Sequence, residues 1–235
     1  MSDLEQARKD PKFIASAILV GLIVIAGIVL AGVYAFGGHD DKGTPAEPRS
    51  TTSNGSATSS SVCGLSDGDQ TISTTAPETD WYFKGKIAAP RSQVFGPDQD
   101  SGTDTASCFA RSPVGALFAA ATLAADIYPR DDSTKRALKL RAVPGPDLDA
   151  TLNEDLGAPG PISQIAGFRF EDYTADRATI TLAARLTDGP NAGALGATPM
   201  TLVWREGDWY LQLQATSDSI VLTSLDGFVK WSGVS

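Results

Sequence analysis

Histidine is almost missing from this sequence, which has one, His39, in a chain of 235 residues. His39 lies in a stretch dominated by glycine, serine and threonine, so a folded domain further along the chain contains no histidine. Histidine is the side chain best suited to acid–base catalysis near neutral pH and the commonest metal ligand. Since no other cluster of metal-binding residues replaces it, we predict no metal site, no cofactor and no catalytic residue.

Carboxylates and tyrosines are the groups that remain for acid–base chemistry. Two pairs are close in the sequence, Asp126 with Tyr128 and Asp172 with Tyr173. The first pair falls where a helix is predicted to end, ahead of Pro129, and the second falls at the end of a predicted strand. Structural roles explain both pairs, so we predict that the protein is not an enzyme.

Basic residues are also scarce, with 19 Lys and Arg against 28 Asp and Glu, for a net charge of −9. Residues 1–12 contain as many bases as acids, so the excess negative charge lies further along the chain. An acidic surface repels the phosphate backbone of nucleic acids. The charge balance therefore argues against nucleic acid as a partner.

Charge is absent from one long segment, the 24 mostly apolar residues 13–36. As a helix rising about 1.5 Å per residue, this segment extends about 36 Å, enough to cross a hydrocarbon core of about 30 Å. It is longer than the core of a secretory signal, although Val33-Tyr34-Ala35 loosely matches a cleavage site, so removal stays an alternative. We predict a single-pass transmembrane helix over residues 13–36.

The flanks of this helix predict its orientation. The bases Arg8, Lys9 and Lys12 precede it, whereas the acids Asp40 and Asp41 follow it. By the positive-inside rule, residues 1–12 are a cytoplasmic tail and everything after the helix lies outside the membrane. The sequence thus predicts a cell-membrane protein, with the membrane itself as one partner and an extracytoplasmic C-terminal domain.

Cysteine occurs only at Cys63 and Cys108. Both lie on the predicted outer side, where disulfides persist. A bridge between them closes a loop of about 45 residues and stabilises the fold by about 3–4 kcal/mol in the chain-entropy account. We predict this disulfide, and two free thiols remain the alternative.

Changes in composition divide the rest of the chain. Residues 37–61 lack large apolar side chains and are predicted to be a disordered stalk. Residues 62–108 form a lead-in arm with one short strand, WYFKGKI, and residues 109–235 form the main domain. Three helices are predicted at its start, over residues 113–127, 133–142 and 147–157, the first capped by Ser112 and the last ended by Gly157.

The remainder of the domain has the alternation of β-strands. Phe168 and Phe170 share one face of a strand, residues 177–186 alternate strictly, and a hairpin turns about Gly207-Asp208. The tail SLDGFVKW supplies apolar residues that can dock on the core. The predicted fold is α+β: a cone-like domain of leading helices packed on a curved antiparallel sheet, behind one transmembrane helix and a flexible stalk.

Two segments carry a family resemblance, CFARSPVGA at residues 108–116 and SLDGFVKW at residues 224–231. They resemble the ends of an uncharacterised actinobacterial family of membrane-anchored domains. The order of elements resembles the nuclear-transport-factor-2-like cone fold, and is similar to that of TcpC-like assembly proteins of conjugation and type IV secretion and of membrane proteins associated with Mce lipid import. Such folds host enzymes, binders and scaffolds alike.

Two functions follow from this resemblance. The first is a non-enzymatic assembly component of a cell-envelope machine for conjugation or type IV secretion, whose outer domain contacts other subunits or copies of itself. The alternative is an extracytoplasmic module of an importer that binds a lipid or small apolar ligand, with Phe168, Trp204 and Trp209 as candidate cavity lining. Trp204 and Trp209 flank a tight turn, and a purely structural cross-strand pair is the alternative for them.

Overall fold

The computed structural model describes residues 61–98, 105–214 and 219–233; the predicted transmembrane helix over 13–36 and all but the last residue of the predicted stalk lie outside them. No helix within those ranges is long and apolar enough to cross a membrane. The described part is α+β, as predicted. Its elements are α1 (Pro113–Ile127), α2 (Asp132–Arg141) and α3 (Pro146–Asn153), with β1 (Asp80–Lys84), β2 (Ile87–Arg91), β3 (Ser163–Thr174), β4 (Arg177–Leu186), β5 (Leu195–Arg205), β6 (Asp208–Gln212), β7 (Ile220–Leu222) and β8 (Val229–Lys230).

The larger of two antiparallel sheets has the order β6-β5-β4-β3-β8, and β7 pairs with the free end of β5 beside β6. β1 and β2 form a separate hairpin. Two register shifts interrupt β3, between Ile165 and Gly167 and between Phe170 and Asp172. Bulges of this kind bend a strand and increase its twist, so β3 does not run straight along the sheet.

The first helix begins where Ser112 predicts, and the second and third begin one residue earlier than predicted. The Ser112 hydroxyl accepts the backbone N–H of Gly115 at 3.1 Å, and Asp131 caps α2. The third helix is shorter than predicted, because it ends at Asn153 rather than at Gly157. There the Asp155 carboxylate accepts the backbone N–H of Gly157 at 2.9 Å, which forms a side-chain turn in place of another helical turn.

Two turns differ from the sequence prediction. The segment WYFKGKI is a hairpin, since Gly85 with φ of 61° lets the chain reverse between β1 and β2. The β5–β6 turn lies at Glu206-Gly207, with φ values of 53° and 81°, one residue earlier than predicted. Asp208 is consequently the first residue of β6, and its side chain points into the protein.

The core lies between α1 and the larger sheet. α1 is buried on nearly every side, and β2 of the lead-in arm packs on it, where Ile87 and Ala89 form a cluster with Ala125. The predicted docking of the tail is confirmed by Trp231, whose ring lies 4.8 Å from that of Trp81 and 5.7 Å from that of Phe168. The arm, the domain and the tail therefore share one core.

A buried ion pair joins the elements around the disulfide. The Asp208 carboxylate accepts the backbone N–H of Cys108 at 2.6 Å and a guanidinium N–H of Arg141 at 2.7 Å. Its other oxygen accepts the backbone N–H groups of Phe109 and Trp209 at 3.2 and 2.8 Å. One carboxylate thus fastens the loop before α1, the end of α2 and the β5–β6 turn together.

Candidate functional site

A cavity of about 350 Å³ lies between the three helices and the larger sheet. Its wall is mainly apolar, and both helices and strands contribute to it. Small-molecule sites in proteins usually fall between about 300 and 1,000 Å³ and have mostly apolar linings. The wall includes Ala124, Ile127, Leu138, Leu182, Met200 and Leu211.

The sequence of α1 explains why this space is not filled. Near its start the helix places Leu117 and Phe118 in the core, but one turn later Ala121 and Ala124 line the cavity. A methyl group reaches far less deeply across the gap to the sheet than leucine or phenylalanine does. The helix therefore covers its half of the sheet near Phe118 and leaves space above β4 and β5 near Ala124.

The helix α3 closes one side of the cavity, to which it contributes Ala150 and Thr151. It packs mainly on α2 rather than on the sheet. Pro144 and Gly145 precede it, and a segment with Gly157, Pro159, Gly160 and Pro161 follows it. Such segments do not continue a helix, so α3 is a short helix bounded at both ends.

Polar side chains of two kinds surround the opening. Exposed acids lie on the helix side, whereas hydroxyl and amide groups lie on the sheet side. On the sheet side, the Gln214 amide donates to the Thr201 hydroxyl at 2.9 Å. The acids are Asp147, Glu154 and Asp155, and the one cation among the lining residues is Arg130.

Arg130 is held in an unusual conformation at this opening. Its φ is 57°, a left-handed value that is uncommon outside glycine, and its backbone N–H donates to the Thr134 hydroxyl at 2.8 Å. Its Nε is buried, with no hydrogen-bond acceptor among the described residues. Burial lowers the pKa of the guanidinium, and the charge of Asp155 raises it.

The aromatic residues predicted to line a cavity do not line this one. Trp209 is fully buried, and its indole N–H donates to the carbonyl of Ala110 at 2.9 Å. Trp204 lies against it at 5.3 Å between ring centroids, and Phe168 packs on Trp231. These rings lie beneath the start of α1, whereas the cavity lies beneath its end.

The sequence gives little indication of which residues line the cavity. Arg130 and Thr134 stand between two helices, in a stretch that reads as an ordinary connection. The spacing of Ala121 and Ala124, opposite large side chains of β4 and β5, was the signal that could have indicated an unfilled space. Alanines are common in buried helices, so that signal is specific only once the pairing of helix and sheet is known.

Three of the four acid–base candidates make structural contacts, and the fourth, Asp172, is exposed on β3. Asp126 pairs with Lys84 of β1, and burial raises the pKa of this carboxyl while the hydrogen bond and charge of Lys84 lower it. The Tyr128 hydroxyl lies at the cavity and donates to the carbonyl of Gly160 at 3.0 Å, with its pKa raised by burial. Burial also raises the pKa of Tyr173 to about 12, and its hydroxyl donates to the Gln70 amide oxygen at 2.8 Å.

The predicted disulfide between Cys63 and Cys108 is present, with Cα atoms 5.9 Å apart. Asp98 lies beside both sulfurs, and this trio is the one grouping with metal-like spacing among the described residues. Sulfurs joined to each other are not thiolate ligands, so the trio does not hold a metal in the oxidised protein. Nearby, the Arg111 guanidinium pairs with Asp176 and donates to the carbonyl of Ala175 at 3.1 Å, a structural clasp on the β3–β4 turn.

Comparison with curated proteins gave no match, and comparison with solved structures gave none either. A family model described as "Domain of unknown function (DUF8175)" matches residues 43–230. The match includes the disulfide, the hairpin of β1 and β2, all three helices and the whole of the cavity wall. Because it spans well over half of the chain, the protein belongs to the DUF8175 family.

Proposed function

We propose that the protein is a membrane-anchored, non-enzymatic binding module, whose cone-like outer domain holds a small, largely apolar molecule in the cavity of about 350 Å³. The cavity is the observation that carries this proposal. Protein interiors are packed as tightly as organic crystals, and a mainly apolar recess of this volume that is partly open to solvent gives a small apolar molecule a place to displace water. An apolar ligand replaces that water and regains contacts with the wall.

The distribution of ionisable groups supports binding rather than catalysis. Apart from Arg130 and the bonded Tyr128, the ionisable side chains of the lining are exposed acids at the rim. General acid–base chemistry needs such groups to converge on one reacting atom. The transmembrane helix over residues 13–36 and the stalk over residues 37–61 complete the proposal as the tether that keeps the domain outside the membrane.

Filling the cavity with a side chain tests the proposal. The full chain is isolated in nanodiscs from the membrane of its own cell, and the co-purifying small molecules are quantified per chain by mass spectrometry. Ala184→Trp places an indole in the cavity wall, and Ala192→Trp, in the exposed β4–β5 loop, is the matched control. We expect about one apolar molecule per chain in the wild type and in the control, and a loss in Ala184→Trp.

Equal amounts of every lipid and small molecule in the three proteins would contradict the proposed binding function. Molecules that surround the transmembrane segment are common to all three proteins, so only cavity occupancy depends on Ala184. Circular dichroism of Ala184→Trp checks that the variant is folded.

An exposed sheet edge favours a second function, the assembly component of a conjugation or type IV secretion machine. Ile220 and Val221 of the edge strand β7 are 48 and 55% exposed. No strand pairs with the outer side of β7 among the described residues, and an apolar edge is a surface on which another chain can add a strand. In the same preparation, a stoichiometric protein partner lost in Val221→Lys supports this function.

A further inference from the structure

A second recess, of about 620 Å³, lies where the lead-in arm, the start of β3, the end of β4 and the C-terminal tail meet. Its charged lining residues are Arg185 of β4 and Lys230 of β8, and its uncharged lining includes Trp81 and Trp231. We call this recess the basic cleft. Since the opening of the first cavity carries three exposed acids, the two recesses differ in charge.

The two cations of the basic cleft are available to a ligand. Both are exposed, and neither forms an ion pair within the described part of the chain. Arg185 donates one N–H to the carbonyl of Gly193 at 3.1 Å. β4 and β8 flank β3, with Arg185 opposite Gln164 and Lys230 opposite Gly167, so their Cα atoms are about 10–14 Å apart. Two long side chains span such a gap, and one anion between them contacts both.

Acids near the cleft in sequence do not line it. The Asp188 carboxylate accepts the backbone N–H of Ile162 at 2.6 Å, and the Asp226 carboxylate accepts the Ser224 hydroxyl at 2.7 Å. Glu78, between two lining residues, is exposed. In a chain with a net charge of −9, a recess lined by two cations and no acid favours an anionic ligand.

The wall of the basic cleft is held in place by hydrogen bonds. The Gln164 amide donates to the carbonyl of Lys86 at 2.7 Å and accepts the backbone N–H of Ala88 at 2.8 Å, which attaches the hairpin to β3. The indole N–H of Trp231 donates to the Thr79 hydroxyl at 2.9 Å, which attaches the tail to the arm. A wall that is already ordered loses little conformational entropy when a ligand binds.

The hairpin of β1 and β2 adds an exposed aromatic ring beside the cleft. Phe83 is 63% exposed and shares a face of β1 with Trp81, which lines the cleft. Lys86, in the hairpin turn, is also exposed. Aromatic rings at headgroup level together with cations are typical of protein surfaces that lie on a membrane interface. The exposed cations of α2 differ, because the exposed acids of its own start and of α3 lie among them.

From these observations we propose that the basic cleft binds the anionic headgroup of a membrane lipid, with Phe83 in contact with the same bilayer. The proposal rests on the membrane anchor of the proposed function and is independent of the apolar ligand in the first cavity. A tether keeps the domain at a high effective concentration near the bilayer, so a weak contact is occupied. A free phosphate ion and the acidic surface of a second copy of the chain are the opposing cases.

A photoreactive residue at position 83 tests the proposal. Benzoylphenylalanine replaces Phe83 in the full chain, which is placed in nanodiscs of phosphatidylcholine, either alone or with about one-third phosphatidylglycerol. Mass spectrometry measures the yield of adducts between residue 83 and lipid after irradiation. Each cation near an anionic surface strengthens the contact by about 5-fold, so we expect at least about 3-fold more lipid adduct in the anionic discs.

Two double variants test the role of the cleft. Arg185→Gln with Lys230→Gln is expected to lower the adduct yield in anionic discs to that in neutral discs. Arg177→Gln with Lys139→Gln is the matched control, since it removes one arginine and one lysine that are exposed and do not line the cleft. The anionic preference must persist in this control, and about 10 mM inorganic phosphate at constant ionic strength should leave the yield unchanged.

Equal yields in the two kinds of disc, or an equal loss in the two double variants, overturn the proposal. Suppression by phosphate assigns the cleft to the free ion, and adducts with a second copy in place of lipid assign the surface to self-association; both results overturn the lipid assignment. A chain that does not enter the discs overturns the anchor and this proposal with it. Loss of the apolar ligand from the first cavity, measured with Ala184→Trp, has no bearing on the adduct yield, so the two functions fail separately.

Discussion

At the scale of single residues, Asp208 connects three separate parts of the fold through one buried carboxylate. It is 2% exposed and accepts hydrogen bonds from three backbone N–H groups and from Arg141. Arg141 also donates to the carbonyl of Trp209 at 2.7 Å. Loss of this carboxylate leaves the buried N–H donors without this acceptor and the buried positive charge of Arg141 without its counter-ion.

We therefore expect Asp208→Ala to lower the free energy of unfolding by about 3–5 kcal/mol, the usual cost of removing one partner of a buried ion pair. Asp208→Asn keeps one acceptor oxygen and is expected to cost less. Asp172→Ala, an exposed aspartate on β3, is the control and should change stability by less than about 0.5 kcal/mol. Urea unfolding followed by tryptophan fluorescence measures the free energy of unfolding of all three variants. Equal unfolding midpoints for Asp208→Ala and Asp172→Ala would contradict the prediction.

The sequence places Asp208 in a hairpin, but it gives no sign of the burial of its carboxylate. The partners of Asp208 stand 67 and 100 residues away, at Arg141 and Cys108. Hydrogen bonds over such separations depend on the packing of several elements, and residue type and spacing do not encode them locally. The same limit applies to Arg130, because the burial of its side chain depends on where α1 ends over the sheet.

At the scale of elements, prediction from the sequence succeeds where a pattern is long and local. Strict alternation predicts β4 over Arg177–Leu186 with both ends correct, and Ser112-Pro113 predicts the start of α1. It fails where one residue changes the chain direction: Gly85 divides the predicted strand WYFKGKI into a hairpin. The end of α3 is also missed, because the turn made by Asp155 competes with the helix there.

The contrast between α1 and α3 leads to a prediction about local stability. α1 is enclosed by the sheet and by the lead-in arm, whereas α3 packs mainly on α2 and is bounded by proline and glycine. Elements with few buried contacts open at a lower free energy than the whole protein. We expect the amide protons of α3 to exchange at least about 10-fold faster than those of α1 in hydrogen-exchange mass spectrometry.

Ligand in the cavity should slow the exchange of α3, since Ala150 and Thr151 form part of the wall. The exchange of β1, which lies outside the cavity lining, serves as the control and should be the same whether the co-purifying apolar molecule is bound or has been removed. Exchange of α3 as slow as that of α1 without ligand would show that α3 is a fixed part of the core.

At the scale of the whole molecule, the arm before α1 is part of the folded unit. It is attached by the disulfide, by the hydrogen bond from the Val62 N–H to the Gly207 carbonyl at 2.9 Å, and by the packing of Trp81 on Trp231. The family match over residues 43–230 includes both the arm and the domain. The arm is thus held by one covalent bond and by non-covalent contacts, namely hydrogen bonds and packed side chains.

Replacement of both cysteines separates these two contributions. Because the bridge spans a sequence separation of 45, the chain-entropy account predicts that Cys63→Ser with Cys108→Ser lowers the free energy of unfolding by about 3–4 kcal/mol. The hairpin of β1 and β2 remains packed on α1, so the variant should still fold, with faster proteolysis confined to residues before Asp80. Urea unfolding and limited proteolysis of the variant measure the two effects, and the wild type under reducing conditions is the matched comparison.

A variant as stable as the oxidised wild type would mean that non-covalent contacts alone hold the arm. Cleavage within β1 or β2 would mean that the disulfide is needed to dock the hairpin.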